Sequence, residues 1–372
     1  MATHELRVDL DVPLAGEPSK GHNRWHPGIS PALRCEPGDE VVVETRDAFD
    51  GQVTADSTPD DVAALNLNLV HPLTGPVHVE GAEPGDLLVV DVIDVQPGPF
   101  AYTVQVPGFG FLRDVFPDPH IIRWELADGW AASEDLPGVR IPASAFLGTV
   151  GVAPSLLLLG EVAAREQELL ERGGMVLPPD PADAVPADTG IAREALRTVP
   201  PRENAGNVDI KQTGAGTRLC FPVWVDGALF SAGDAHYAQG DCETCGTAIE
   251  MPATTRLRFD LRKGGAEARG IRGLRFSRED YHVAPEYAAP RRFYATTGIS
   301  VDTTEGRNHS EDVTLATRNA LLAMIDHLTA EYGFDRQQAY ALCSVAVDLK
   351  VSQLPDVPNM LVSAFLPLDV LT

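Results

Sequence analysis

A Pro-Gly-Asp turn occurs twice, within Pro37-Gly38-Asp39-Glu40 and within Glu83-Pro84-Gly85-Asp86. Each copy feeds a β-rich run, Val41-Val42-Val43-Glu44 in the first case and Leu87 to Val95 in the second. Proline presets one turn angle and glycine supplies a left-handed one, so the chain must reverse before each run. A chain that reverses into short β-rich runs builds an antiparallel sandwich or barrel. Leu6 to Val12 alternates strictly between apolar and polar residues, as a half-buried strand does, and Arg256 to Arg262 repeats the pattern with its arginines on one face. The 30 prolines and 33 glycines suit many short strands and loops.

Helical signals interrupt this pattern in two places. Glu161 to Arg172 has helical character and stops at Gly173-Gly174. A Pro/Ala/Asp-rich loop, Leu177 to Thr189, follows as an exposed connection. Later, Val313 to Tyr332 places Leu321, Met324, Ile325 and Leu328 on one stripe. Glu311 and Asp312 suit the start of that helix and Gly333 ends it. A second helix is predicted from about Asp335 to Val347. The regions are therefore 1–160, β-rich; 161–202, helix and connection; 203–265, a central β-region carrying the active-site motif; and 266–372, a C-terminal α/β region. The expected class is α+β, β-dominated, with a sandwich or barrel-like body.

The 54 acidic residues against 29 basic ones leave a formal charge of −25. That sign excludes nucleic acid and anionic membranes as partners. No stretch approaches the ~18 apolar residues of a membrane span, and the first residues lack a basic, apolar leader. The five cysteines are odd in number and scattered, which is no disulfide framework. Cys242 and Cys245 are spaced like half a zinc knuckle, but no second pair follows. A cytoplasmic location is expected.

The chemistry concentrates in Ser231 to Glu250, which packs Asp234, His236, Asp241, Glu243 and Glu250, two thiols and several glycines into a short stretch behind the apolar run Leu219 to Phe230. Glycines let the backbone turn sharply and gather polar groups. Carboxylates and a histidine at a strand end supply anionic ligands for a metal ion and a base for its water.

The chain resembles the acetamidase/formamidase family. The resemblance rests on His22-Asn23-Arg24-Trp25-His26-Pro27, Glu44 to Gln52, His71 to Ala82, Pro107 to Asp114 (closer to the formamidase branch), Asn204 to Gln212, Ser231 to Glu250, and the tail segments Cys343 to Lys350 and Asp356 to Asn359. It implies hydrolysis of short aliphatic amides, formamide or acetamide, to a carboxylate and ammonia. It also implies a β-rich fold with a C-terminal α/β portion, a homo-oligomer and a bound divalent metal, zinc most often, with calcium or manganese as alternatives. Relatives usually carry glycine at Cys242 and an aromatic at His78, so these two could add metal ligands or reshape the pocket.

Asp209, Asp234 and His236 are the first-rank metal ligands. Asp234 and His236, two apart, share one side of an extended segment. Glu243 and Glu250 compete as general base for a metal-activated water, with Glu250 leaning toward ligand and Glu243 toward base. Asn204 and Asn207 offer neutral donors for an oxyanion. His26, Asp47 and Cys245 are candidates for substrate contact, Gln52 for a polar contact or a loop, and Asp241 for shaping the turn. One alternative is a covalent amidase in which Cys245 attacks, helped by a glutamate and Lys211. Another is a non-enzymatic β protein that binds a metal or small ligand.

Overall fold

The computed structural model describes residues 1–279 and 292–372. Both predicted turns form, with Gly38 and Gly85 at φ of +96° and +94°. The strands Glu40–Thr45 and Leu87–Pro97 follow them at once. They belong to a six-stranded sheet in the order Thr3–Leu6, Glu40–Thr45, Ala253–Arg262, Leu87–Pro97, Arg218–Pro222, Arg275–Ser277. Thr3–Leu6 runs parallel to its neighbour and the other pairings are antiparallel. The alternating strand Ala253–Arg262 forms as expected, and Arg256 and Arg258 on its outer face both bond Glu40 at 2.6 Å. The alternation of Leu6 to Val12 does not produce a full strand, because the strand stops at Leu6. The Asp9 carboxylate accepts from the Asp11 amide at 3.0 Å, and this local side-chain turn overrides the pattern.

A second, larger sheet runs Arg140–Pro142, Trp130–Ala132, His120–Ala127, Ala101–Gln105, Glu250–Met251, Phe230–His236, Phe146–Gly151, Ala205–Asn207, and Leu73–Val79 also pairs with Phe230–His236. The two sheets face each other. Phe230 of the larger sheet meets Phe221 and Phe259 of the smaller edge-on, at 5.6 and 5.3 Å. Val43, Leu88 and Val90 share one buried core with Val150, Ala232 and Ala235. Each such large side chain contributes ~1.5–3 kcal/mol by leaving water. The result is a β-dominated sandwich, and among the described residues neither sheet closes into a barrel. Strands from both sides of 161–202 interleave in each sheet.

The helix expected from Glu161 begins earlier, spanning Leu156–Glu171, with Ser155 accepting from the Leu158 amide at 3.1 Å. Leu158, Leu159 and Val162 form its buried side. In the C-terminal region the helix Val313–Tyr332 forms as predicted. It is capped by Asp312, ended by Gly333 at φ +73°, and buries Leu321, Met324, Ile325 and Leu328. It lies on a three-stranded antiparallel sheet of Phe293–Ile299, Leu361–Pro367 and Asp348–Gln353. The next helix, Arg336–Ala346, reaches back to the sandwich. Its Tyr340 ring stacks on Phe116 at 4.4 Å, and its hydroxyl accepts from the Leu112 amide and donates to the Thr244 carbonyl. Ser344 accepts from the Cys245 amide at 3.0 Å and donates to the Thr247 carbonyl at 2.7 Å. This helix therefore braces the turn that follows His236. Among the described residues no helix is long and apolar enough to cross a membrane.

Candidate active site

Adjacent strands of the larger sheet assemble the site. His236 ends the strand Phe230–His236 and pairs across to Glu250 on one side and Phe146 on the other. Cross-strand partners hold their side chains close. His236 Nε2 lies 3.2 Å from Glu250 Oε2, and the Phe146 ring meets the imidazole edge-on at 5.0 Å. Two residues back, Asp234 places Oδ1 3.4 Å from the same nitrogen. Asp209 follows the strand Ala205–Asn207, whose Asn207 pairs with Thr149. One atom from each of Asp209, Asp234 and His236 fits within a mutual 4.8 Å, and so does one from each of His236, Glu243 and Glu250. The turn after His236 brings Glu243 Oε1 to 3.7 Å from Nε2. Asp234 and His236 do share a side, but Asp234 sits at φ +56°, so the segment is not regularly extended.

Charge is dense in this space. Burial, then the charges of Asp234 and Glu250, push Asp209 well above the carboxylate range. Burial, then Asp209, does the same to Glu243. Burial raises Glu250 to about 7 against the pull of His236. Burial would also raise Asp234, but His71 and His236 outweigh it and hold Asp234 low. Burial opposes a charge on His236, yet Glu250 and Asp234 raise its pKa well above that of a free imidazole. Four carboxyls around one imidazole cannot all stay ionised in a buried space without a cation, which is why burial and mutual repulsion drive Asp209, Glu243 and Glu250 toward their protonated forms.

The donor set fits a divalent metal. Asp209 Oδ1, His236 Nε2 and Glu250 Oε2 are all buried without a hydrogen-bond partner. Buried polar atoms are otherwise paired in folded proteins. Gly148 keeps the space open. A Cβ there would stand 2.6 Å from Asp209 Oδ1, 2.7 Å from His236 Cε1 and 2.9 Å from the Asp234 carbonyl. Thr149 Oγ lies 2.7 Å from Asn207 Oδ1 and 3.1 Å from Asp234 Oδ2. His71 Nε2 stands 3.9 Å from Asp234 Oδ2. Gln239 bridges His236 Nδ1 and the Asp209 carbonyl.

Other sequence candidates lie elsewhere or serve the frame. Asn204 does not point its amide at the cluster, because Nδ2 donates to the Val152 carbonyl at 2.9 Å. Asn207 is present at the cluster, but its side-chain oxygen accepts from the Thr149 hydroxyl at 2.7 Å. His26 ties its loop to Glu194 at 3.0 Å and accepts from the Gly28 amide. Asp47 accepts from the Phe49 and Gly51 amides and from the Tyr102 hydroxyl, which builds the loop behind Glu250's strand partner Tyr102. Gln52 bonds the Phe49 and Asn66 carbonyls in that loop. Cys242 is exposed, and His78 lies 3.6 Å from Glu80, so neither joins the cluster. The covalent trio is not assembled. Lys211 pairs with Asp348 and, at 3.6 Å, with Asp241, while burial pushes the Cys245 thiol up and its sulfur faces the Val104 and Thr247 carbonyls.

Sequence reasoning assigned no role to His71, Gly148, Thr149 or Gln239. A glycine inside the apolar strand Phe146–Gly151 was a usable signal, since strand glycines mark close approach of another group.

The sequence profile of the Acetamidase/Formamidase family matches residues 7–372. An acetamidase from Mycolicibacterium smegmatis is 38% identical over 361 residues, covering 90% of this chain and 87% of its own length. A formamidase from Methylophilus methylotrophus is 35% identical, covering 98% and 93%. The solved structure of a gamma lactamase from Delftia acidovorans superposes with a TM-score of 0.93 at 36% identity, covering 99% of this chain and 93% of that one.

Proposed function

The chain belongs to the acetamidase/formamidase family and is an amide hydrolase, and from that premise we propose that it cleaves short aliphatic amides, formamide or acetamide, at a divalent metal held by Asp209, Asp234, His236 and Glu250. The observation that carries the metal is the set of three buried, unpartnered ligand atoms, Asp209 Oδ1, His236 Nε2 and Glu250 Oε2, in two acidic triads that share His236. A bound divalent cation supplies a Lewis acid that polarises water and the amide carbonyl. One imidazole among carboxylates, without thiolate, suits zinc or manganese better than calcium, whose ligands are all oxygen. Zinc is our assignment.

Glu243 is the proposed base. Its side chain is 14% exposed, against 4% or less for Asp234, His236 and Glu250, so it stands between the cluster and solvent. With the proposed cation offsetting the burial and the Asp209 charge that otherwise keep it protonated, it would take a proton from the attacking water and return it to the departing nitrogen, leaving carboxylate and ammonia. Glu250 has one oxygen fixed by the Ala248 amide at 2.8 Å and the other aimed at the cluster, which is how a ligand is held. The lactam named for the Delftia relative is a cyclic amide, so a γ-lactam belongs in the same substrate panel.

Five free cysteines suit a reducing compartment, and we assign the cytoplasm on that ground. A homo-oligomer completes the reading, with Phe293 and Ile299, 53% and 41% exposed on an edge strand, as apolar surface it would cover. Light scattering of the purified chain tests that part. The main test is turnover of formamide, acetamide, longer amides and a γ-lactam by metal-stripped and zinc-restored protein. Full activity after stripping would overturn the metal reading.

A further inference from the structure

We propose that Gln239 is a positioning residue. It sets the tautomer of His236 and ties that ring to Asp209, so that one side-chain amide preorganises two ligands of the proposed cation. The inference rests on the metal reading above.

The reasoning starts at the Asp209 carbonyl, which can only accept a hydrogen bond. Gln239 lies 2.8 Å from it, so the amide NH2 must face that way. The amide oxygen then faces His236 Nδ1 at 3.0 Å. That oxygen also only accepts, so Nδ1 carries the ring proton. The opposite orientation of the amide would set two carbonyl oxygens against each other. In the neutral ring, Nε2 is therefore a bare lone pair. It is buried, has no partner, and faces oxygens of Glu250, Asp234 and Glu243 at 3.2, 3.4 and 3.7 Å.

With the ring neutral and the carboxylates ionised, these four acceptors repel one another unless a cation or a proton stands among them. The amide relay thus makes Nε2 the nitrogen left open to a ligand whenever the ring is neutral. Without Gln239 the imidazole is free to carry its proton on Nε2 and donate it to Glu250 or Asp234. The cluster would then satisfy itself with a proton, and metal would have to displace that bond. Gln239 is buried at 2% exposure and joins segments 30 positions apart, so its amide has little freedom to do otherwise. Metal-bound histidines characteristically donate their second ring nitrogen to such a partner, and loss of the partner costs about 10–100-fold in metal affinity.

The test uses the full chain and zinc in competition with a chromophoric chelator. Gln239→Leu should bind zinc about 10–100-fold more weakly than the parent. Gln239→Glu still accepts from Nδ1–H but cannot donate to the Asp209 carbonyl, and should fall between the two. Thermal unfolding of the metal-free forms separates this effect from a general loss of packing. Ring 15N shifts of zinc-loaded parent should show zinc on Nε2 and the proton on Nδ1, a readout that stands even if a variant fails to fold. Zinc bound equally by the parent and Gln239→Leu, or zinc on Nδ1, overturns the inference alone. A parent chain that binds no zinc overturns it together with the metal reading.

Discussion

Replacing Gly148 with alanine adds one methyl group at the point where the cluster is tightest. The new Cβ would stand 2.6 Å from Asp209 Oδ1, 2.7 Å from His236 Cε1 and 2.9 Å from the Asp234 carbonyl. Ordinary contact lies near ~3.5 Å, so each group must withdraw by more than half an ångström. Asp209 cannot swing away freely, because its amide and that of Val208 both donate to the Gly148 carbonyl, at 3.1 and 3.0 Å. The Asp234 carbonyl is backbone and yields least. Gly148 does not have a left-handed φ, so alanine suits its conformation and the conflict is one of space alone. Overpacking of this kind costs about 1–3 kcal/mol, which the metal-free protein should survive. Ligand distances, however, tolerate only about 0.2 Å. We expect zinc affinity to drop on the order of 100-fold or more, beyond the loss that follows when a ligand merely loses its hydrogen-bond partner, with turnover falling in step. The assay is zinc content after dialysis against a metal buffer, beside the unfolding temperature of the metal-free form and formamide turnover. A Gly148→Ala protein with parental zinc affinity and parental turnover would refute the placement of the metal.

Glu243→Gln should keep zinc and lose about 10²–10⁴ in rate, while Glu250→Gln should lose zinc with activity; metal content beside initial rates separates them, and two normal variants would place the base elsewhere. Cys245→Ser should stay within roughly tenfold of parental turnover, about 1.4 kcal/mol of barrier, and a far larger drop with zinc still bound would restore the covalent mechanism. Asp209→Asn should raise the unfolding temperature of metal-free protein at neutral pH, since the parent carboxyl, pushed well above the carboxylate range, must take up a proton on folding and asparagine need not, while asparagine accepts φ of +45°, and it should abolish the rise that zinc gives the parent. Burial pushes His22 from 6.5 down to about 4. The unfolded chain therefore takes up that proton first, and stability present above pH 6.5 is lost as pH falls toward 4, by up to about 3 kcal/mol; urea titrations of His22→Gln across that window should show a flatter profile, and an unchanged slope would exclude His22.

The parts of the fold legible in the sequence are those that local chemistry decides. The Pro-Gly-Asp turns and the helix ended by Gly333 use residues whose backbone preferences leave few alternatives. Leu156 to Leu159 carries no period, so the first turn of its helix could not be told from a buried strand. Leu6 to Val12 has the period but lost the strand to a carboxylate that turns the chain. Most of the metal-candidate cluster was legible because Asp234, His236, Glu243 and Glu250 lie in one stretch. Its frame was not. Thr149 meets Asp234 across 85 positions, and Tyr340 and Ser344 reach the turn across 96 and 97, contacts that only sheet pairing and helix docking create. Asn204 and His26 fail differently. Each is a plausible donor by type, but its polar atoms serve nearby backbone or a surface glutamate.

The site includes four of the non-glycine residues that this chain holds in costly left-handed conformations. Asp209, Asp234, Cys242 and Glu243 all have φ between +44° and +83°. Such residues cost on the order of 1–3 kcal/mol each and persist only where the surroundings over-determine them. Here the surroundings can be named. The Gly148 carbonyl holds the amides of Val208 and Asp209. Pairing to Phe146 and Glu250 fixes the strand that carries Asp234 and His236. The Ser344 carbonyl accepts from the Gly240 amide at 2.8 Å, and Tyr340 and Ser344 secure Thr244, Cys245 and Thr247. The helix Arg336–Ala346 thus holds the turn that carries Glu243, the proposed base, without itself entering the cluster. The crowding of carboxylates, with Asp209 Oδ1, His236 Nε2 and Glu250 Oε2 left without hydrogen-bond partners, is what the proposed cation would relieve.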